Sequence, residues 1–440
     1  MTYCKTHPGD ESNPVDHRTL TVISRLLLFV FVLTLIVSTA QQCLASYYFR
    51  QNLPDALQKA MICDSANPVY PAALANLLHL YGQSPDPDAV IRLYQTAVRL
   101  SPFDAGYTAD LAQANDWAGR TDVALPLFQR AQQLFPDAPE INWKLANFYI
   151  RSGNSGDALP ALKKILSSNI IDKNQVFALS DRAGINSVTV VENLLPPDVP
   201  AYFAYLNFEA QRGNFPAAQQ TWNRLLSLGS PFDPKEAFPF LDALIKSHEL
   251  DSASQVWSSL ISRFPDRIPS PASANNLVTN ANLQADILNG GFDWRVFPVS
   301  GILVSQDSTG PTADARSLRI EFDGTQNLYY GSVLQLVPVQ PRTKYTFSAF
   351  TRSQAITTDA GVGLQISDGY DPNKILGSTD PLIGTTPWSE QSFSFETPAQ
   401  TRLLIVRIVR LPSQKFDNKI AGAFWFSRIS LTQQPALRSP

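Results

Sequence analysis

The two histidines in the body of the chain, His79 and His248, each sit alone in helical patterning, with no second ligand four residues away. A helical zinc site needs such a partner, so both read as packed or surface histidines. Carboxylates are plentiful, and a glycosidase would need two of them flanking one bond, yet no spacing singles out a pair. The sequence has no Gly-x-Ser-x-Gly elbow, no phosphate loop, no His-Glu-x-x-His and no histidine after His248. The expectation is a protein that binds rather than reacts, with no cofactor. Cys4, Cys43 and Cys63 all fall in the first 63 residues, which excludes a disulfide framework or cysteine metal site in the body. A Cys43 to Cys63 bridge would need an oxidising compartment, and free thiols are the simpler expectation.

The elements that could position binding residues must come from several domains. A chain of 440 residues with 44% hydrophobic and 17% charged composition can bury more than one core. The net charge of −3 and the absence of any Lys/Arg run exclude nucleic acid as a partner.

From Leu26 to Phe49 the sequence carries no charge, about the 20 residues a bilayer span requires. The strongly apolar part, Leu26 to Val37, is shorter, and Ser38-Thr39-Ala40 offers a small-residue cleavage site, so a signal peptide is the rival reading. The long leader with Asp10, Glu11 and Asp16 favours an uncleaved anchor over 20–49, with Tyr47 and Tyr48 at its far interface and 1–19 as a cytoplasmic tail. Either reading places residues from about 50 onward outside the cytoplasm, in a periplasmic or extracytoplasmic space beyond the inner membrane.

Between 52 and 268 the apolar pattern is helical and periodic. YQTAVRLSP and FQRAQQLFP close on Pro102 and Pro136, which are 34 residues apart, and Pro231 and Pro265 repeat that period. The aligned positions are Leu74, Leu77, Leu78, Tyr81, Val90, Tyr94 and Ala97, then Leu111, Ala112, Gly119, Ala124, Phe128 and Ala131. A third unit carries Leu145 to Ile165; after an irregular stretch from about 170 to 197, Tyr205, Trp222, Phe240 and Trp257 resume the pattern. These residues resemble tetratricopeptide repeats. The resemblance implies an α-solenoid of helical hairpins whose concave face holds a partner protein, with Trp222 and Trp257 as packing residues.

Composition changes at RIPSPASANN, with 269–275 as a linker and 434–440 as a tail. Across 276–433 period-2 runs dominate: SLRIEF, SVLQLVPV, KYTFSAFTRS, VGLQIS, QSFSFET, RLLIVRIVRL and AFWFSRISL. They predict an antiparallel β-sandwich of jelly-roll type, so the whole is a multidomain α+β chain. In the closing strand, period 2 places Trp425, Ser427, Ile429 and Leu431 on the core face. Phe424, Phe426 and Arg428 then fall on a second face, a candidate docking surface. NGGFDW, the Val-Pro-turn-Tyr centre and the last two strands resemble galactose-binding-like jelly rolls, including carbohydrate-binding modules. That resemblance implies sugar stacking on exposed aromatics, for which Trp294, Tyr329, Tyr330 and Tyr370 are candidates, with Trp388 structural. Tyr329 and Tyr330 are neighbours and cannot both point inward. The family's structural calcium would find Asp293 at one ligand position. Ser427 and Arg428 stand where the closing carboxylates belong, so no metal is expected.

Together these readings imply a non-enzymatic, membrane-anchored scaffold of the bacterial envelope that binds protein partners and a polysaccharide, accessory to exopolysaccharide or cell-surface polysaccharide assembly. Two alternatives stand beside it: a β domain that only caps the solenoid, and a divergent glycan-active enzyme.

Overall fold

The computed structural model describes residues 17–80, 86–168, 170–271, 273, 275–313, 315–416 and 418–434. Tyr81, Cys4, most of the 1–19 tail and residues 435–440 lie outside them. The chain forms two compact units, divided between Asn186 and Ser187.

In the first unit α1 (His17–Arg50) is long and apolar enough to cross a membrane, and its length suits a signal sequence as well. Its last turns join the protein body: Ala45 is buried with Ala60 and Tyr70, and Tyr48 and Phe49 pack against the same cluster. Tyr48 therefore belongs partly to the helical core, with the Lys59 ammonium 5.7 Å from its ring centre, whereas Tyr47 is exposed. Cys43 and Cys63 are free thiols.

The helices that follow are α2 (Pro54–Cys63), α3 (Val69–Leu80), α4 (Pro87–Leu100), α5 (Ala105–Trp117), α6 (Thr121–Leu134), α7 (Pro139–Arg151), α8 (Ser155–Ser167) and α9 (Lys173–Arg182). They pack as antiparallel pairs, α3 on α4, α5 on α6 and α7 on α8. The aligned apolar positions are the buried ones, Val90, Tyr94, Ala97, Ala124, Phe128 and Ala131 among them. Helices α5 and α7 each end at a glycine in the left-handed region, Gly119 at φ 77° and Gly153 at φ 79°. There the N–H groups of Arg120 and Asn154 close back on the carbonyls of Asn115 and Tyr149, a helix stop that a Cβ would strain. The stretch expected to be irregular, 170–197, is instead mostly helical. α9 is capped by Asp172, and α10 (Ser187–Thr189) runs into a π turn whose Val190, Val191 and Leu194 are buried. It lacks the 34-residue phrase because its helices are short, not because the backbone is irregular.

The second unit holds α10 together with α11 (Val199–Gln211), α12 (Phe215–Ser227), α13 (Phe238–Lys246), α14 (Leu250–Arg263) and ten strands. The strands are β1 (Arg295–Val296), β2 (Ile302–Asp307), β3 (Ser317–Asp323), β4 (Val333–Pro338), β5 (Lys344–Ile356), β6 (Gly363–Asp368), β7 (Ile375–Ser378), β8 (Gly384–Glu396), β9 (Leu403–Val409) and β10 (Ala421–Gln433). Two antiparallel sheets, β1-β4-β9-β6-β7 and β2-β3-β10-β5-β8, form a β-sandwich over one apolar core.

The closing strand departs from simple alternation. Between Ser427 and Ser430 β10 carries one more residue than β5, a bulge centred on Arg428 at φ 49°. Phe424 and Phe426 are thus fully buried in the core on one side of the bulge, and Ile429 and Leu431 on the other. The expected docking surface at Phe424 and Phe426 is accordingly corrected: these rings are core, and Trp425 faces outward. Trp425 is buried even so, because in-register Arg319 and Arg352 lay their guanidinia 5.5 and 4.8 Å from its ring centre. Its indole N–H donates to Asp307 Oδ2 at 3.0 Å.

Candidate functional site

In the first unit the half-exposed side chains include Tyr107, Asp110 and Gln113 on α5, and Trp143, Lys144 and Asn147 on α7. Spacings of three and four put each set on one helix face, beside the buried face that holds Leu111, Ala112, Leu145 and Ala146. The two faces are tied together by Lys144, which donates to Asp110 thirty-four residues earlier, and by Arg151, which donates to Asp116. On α3 Asn76 accepts from the Tyr94 hydroxyl at 2.7 Å, and His79 stacks on Trp117 of α5. Burial lowers the His79 pKa below the ordinary imidazole value. Among the described residues no group of three His, Cys, Asp or Glu side chains could hold a metal.

The sandwich distributes the four candidate aromatics differently. Trp294 is fully buried, its ring 5.2 Å from Phe426, and presents no face to solvent. Tyr330 is likewise buried; burial pushes its hydroxyl well above the usual phenol range. Its backbone pairs with Arg410, whose buried guanidinium donates to the carbonyls of Leu328, Ala360 and Asn418 and so ties three loops together. Tyr329 is 51% exposed, and the pairing of Tyr330 with Arg410 sets it beside exposed Leu411. Leu411 and Val409 line a pocket of ≈ 250 Å³ with Gly363, Gln365 and Thr379. The outer face of that sheet carries one row across all five strands: Arg295, Leu334, Arg407, Gln365 and Ser378. Within the row the Arg407 Nε donates to Gln365 Oε1 at 2.9 Å.

Tyr370 is engaged within the protein. Its hydroxyl donates to the Ile245 carbonyl at 2.8 Å, and its ring stacks on His248 with centres 3.7 Å apart. It belongs to a joint between the α13/α14 hairpin and the sandwich that sequence reasoning missed. In that joint Arg295 Nη2 meets Asp242 Oδ1 at 2.6 Å, and Arg402 meets Asp251 at 2.6 Å. Trp257 packs edge-on against Phe292. Gly290 and Gly291 allow the approach: a Cβ would fall 2.2 Å from Phe238 at the first and 2.3 Å from Trp257 at the second. The doubled glycine before Phe-Asp-Trp was the available signal, since glycine at a strand start marks close approach of other chain.

Asp293 holds this turn. Its Oδ2 accepts from the Leu288 N–H at 2.8 Å, while Oδ1 is buried without a partner. Burial raises its pKa to about 6, against the Leu288 N–H that pulls the other way. Ser427 donates to the Arg316 carbonyl and Arg428 to Thr312, so neither closing position offers a carboxylate.

Residues 77–139 and 118–169 match two tetratricopeptide-repeat family models, so this stretch is built of such repeats. No curated protein matches the chain. Similar solved structures include one described as CBM4 structure and function, 15% identical over 36% of this chain and 99% of that one, at a TM-score of 0.27. Pseudomonas aeruginosa pilF is 14% identical over 52% of this chain and 93% of its own, at 0.27. A MamA protein is 18% identical over 44% and 91%, also at 0.27.

Proposed function

We propose that the chain is a non-enzymatic scaffold held at a membrane by α1, whose repeats grip an extended segment of a partner protein and whose sandwich meets a glycan. The observation that carries this reading is the half-exposed row on α5 and α7. Amides at Gln113 and Asn147 can bond a peptide backbone there, rings at Tyr107 and Trp143 can cover its side chains, and the flanking charges are already paired. A photo-crosslinking residue placed at Gln113 or Trp143 in cells should capture one protein. The same residue at exposed Gln129, outside the row, serves as control; equal capture there would sink the reading.

For the glycan, the supporting feature is Tyr329 beside the Gly363–Leu411 pocket, an exposed ring next to neutral hydrogen-bonding groups. A part in exopolysaccharide or cell-surface polysaccharide assembly follows from joining a membrane anchor, a protein-binding array and such a module. Deleting the gene should then lower surface polysaccharide, and unchanged polymer would count against that part. The joint at Asp242, Ile245 and Asp251 favours a second reading, in which the sandwich covers the end of the helical stack.

A further inference from the structure

A groove runs along α14 where the hairpin meets the sandwich. Its apolar arm, ≈ 410 Å³, has Trp257, Phe292, Leu277 and Pro338 as floor, with the hydroxyls of Ser254 and Ser258 on its rim. Among the described residues no ionisable side chain lines that arm. A polar arm of ≈ 280 Å³ continues from it, sharing Ser254, Leu277 and Pro338, and ends at Gln340, Gln433 and the Asp251–Arg402 pair. Each arm has about the size of a small-ligand site, and seams between domains are where such sites collect.

The structure assigns this seam to a neutral oligosaccharide of a few rings, a second glycan site apart from the Tyr329 rim; the assignment rests on the glycan reading given above. A sugar ring offers apolar C–H faces and an edge of hydroxyls. The first suits the Leu277, Pro338 and Phe292 floor, and the second suits Ser254 and Ser258, which stand four apart on one helix face. A polyanionic chain would find only Arg402, already paired with Asp251. An acyl chain would leave the serine hydroxyls without partners in a dry contact, at a cost in affinity. Because the walls come from both α14 and the sandwich, a ligand in the seam also strengthens the joint, and the joint in turn shapes the site.

The test titrates the full chain in detergent micelles with cellohexaose, xylohexaose and mannohexaose, following the melting temperature and calorimetric affinity. At least one should bind and raise the melting temperature as its concentration rises. Ser258→Leu, at an exposed position that fills the groove, should weaken binding about tenfold or more, a loss of at least 1.4 kcal/mol. Asp242→Ala, which touches no ligand but loosens the joint, should weaken it by a smaller factor. Gln129→Ala, at an exposed position outside both glycan sites, should leave it unchanged. Loss with Tyr329→Ala and retention with Ser258→Leu would overturn the seam while leaving the rim reading intact. Failure of all three sugars to bind the unaltered chain would overturn both, as would displacement of the bound sugar by a peptide alone. Should Ser258→Leu lower the melting temperature without ligand, Ser254→Ala together with Ser258→Ala gives the same reading with less added bulk.

Discussion

Two kinds of joint hold this protein together. Between repeats, α5 meets α7 through Asp110 with Lys144 and Asp116 with Arg151, partners separated by one repeat length. At the sandwich, α13 and α14 meet loops through Asp242 with Arg295 and Asp251 with Arg402, the latter 151 residues apart. Trp222 and Trp257 show the contrast at equivalent helix positions. Trp222 is buried within the helical stack and donates to Ser259, whereas Trp257 turns its ring to Phe292 and Gly291. The sandwich thus occupies the side of α14 where a further hairpin would otherwise stack. A periodic joint tolerates single losses because each is one of many; the unique joint concentrates its stability in a few close contacts.

That contrast can be broken most sharply at Gly291. Gly291→Ala places a Cβ against Trp257 at a backbone of φ +56°, and should destabilise the second unit by roughly 3 kcal/mol. Denaturant unfolding of the full chain reads this directly; an unchanged midpoint would mean that the joint carries no stability. Asp293 supplies a pH handle on the same turn. Its folded pKa, about 6, exceeds the ordinary 3.8, so its contribution is greatest below 3.8 and is lost as pH rises through 6. The loss amounts to about 3 kcal/mol in all, and Asp293→Asn should flatten that slope. Next comes Asp242→Ala, which leaves the largely buried Arg295 guanidinium without its carboxylate, for about 2 kcal/mol. Its effect should exceed that of Lys144→Ala, which removes one repeat-to-repeat pair and costs about 1 kcal/mol or less. If Lys144→Ala cost more than Asp242→Ala, the two joints would have been ranked in the wrong order.

The same distinction explains what was legible beforehand. The seven runs quoted from the sequence all became strands, and the buried positions of α4, α6 and α8 follow the 34-residue register, because burial repeats where backbone geometry repeats. β2 and β7 were not anticipated: ILVSQD alternates weakly and ILGS is a short edge strand. Of the candidate aromatics, Tyr329 is open, Trp294 and Tyr330 are core, and Tyr370 serves the joint. Local pattern distinguishes inward from outward only within a strand. It does not tell which outward residues another domain will cover, and for that reason Arg295, Asp242 and Arg402 went unnoticed.

Strand β10 bears on how such chains are compared. Its bulge at Arg428 works as a phase marker: upstream the even-numbered side chains enter the core, downstream the odd-numbered ones. A variant lacking Arg428 would restore plain alternation and pair Phe424, Phe426, Ile429 and Leu431 with the inward Ser353, Thr351, Ala349 and Phe347 of β5, so it would lose the bulge and its local twist but keep the core face. A gap of one residue at this point in an alignment therefore marks a relative with a straighter strand and the same core face, whereas a gap elsewhere in β10 would invert it.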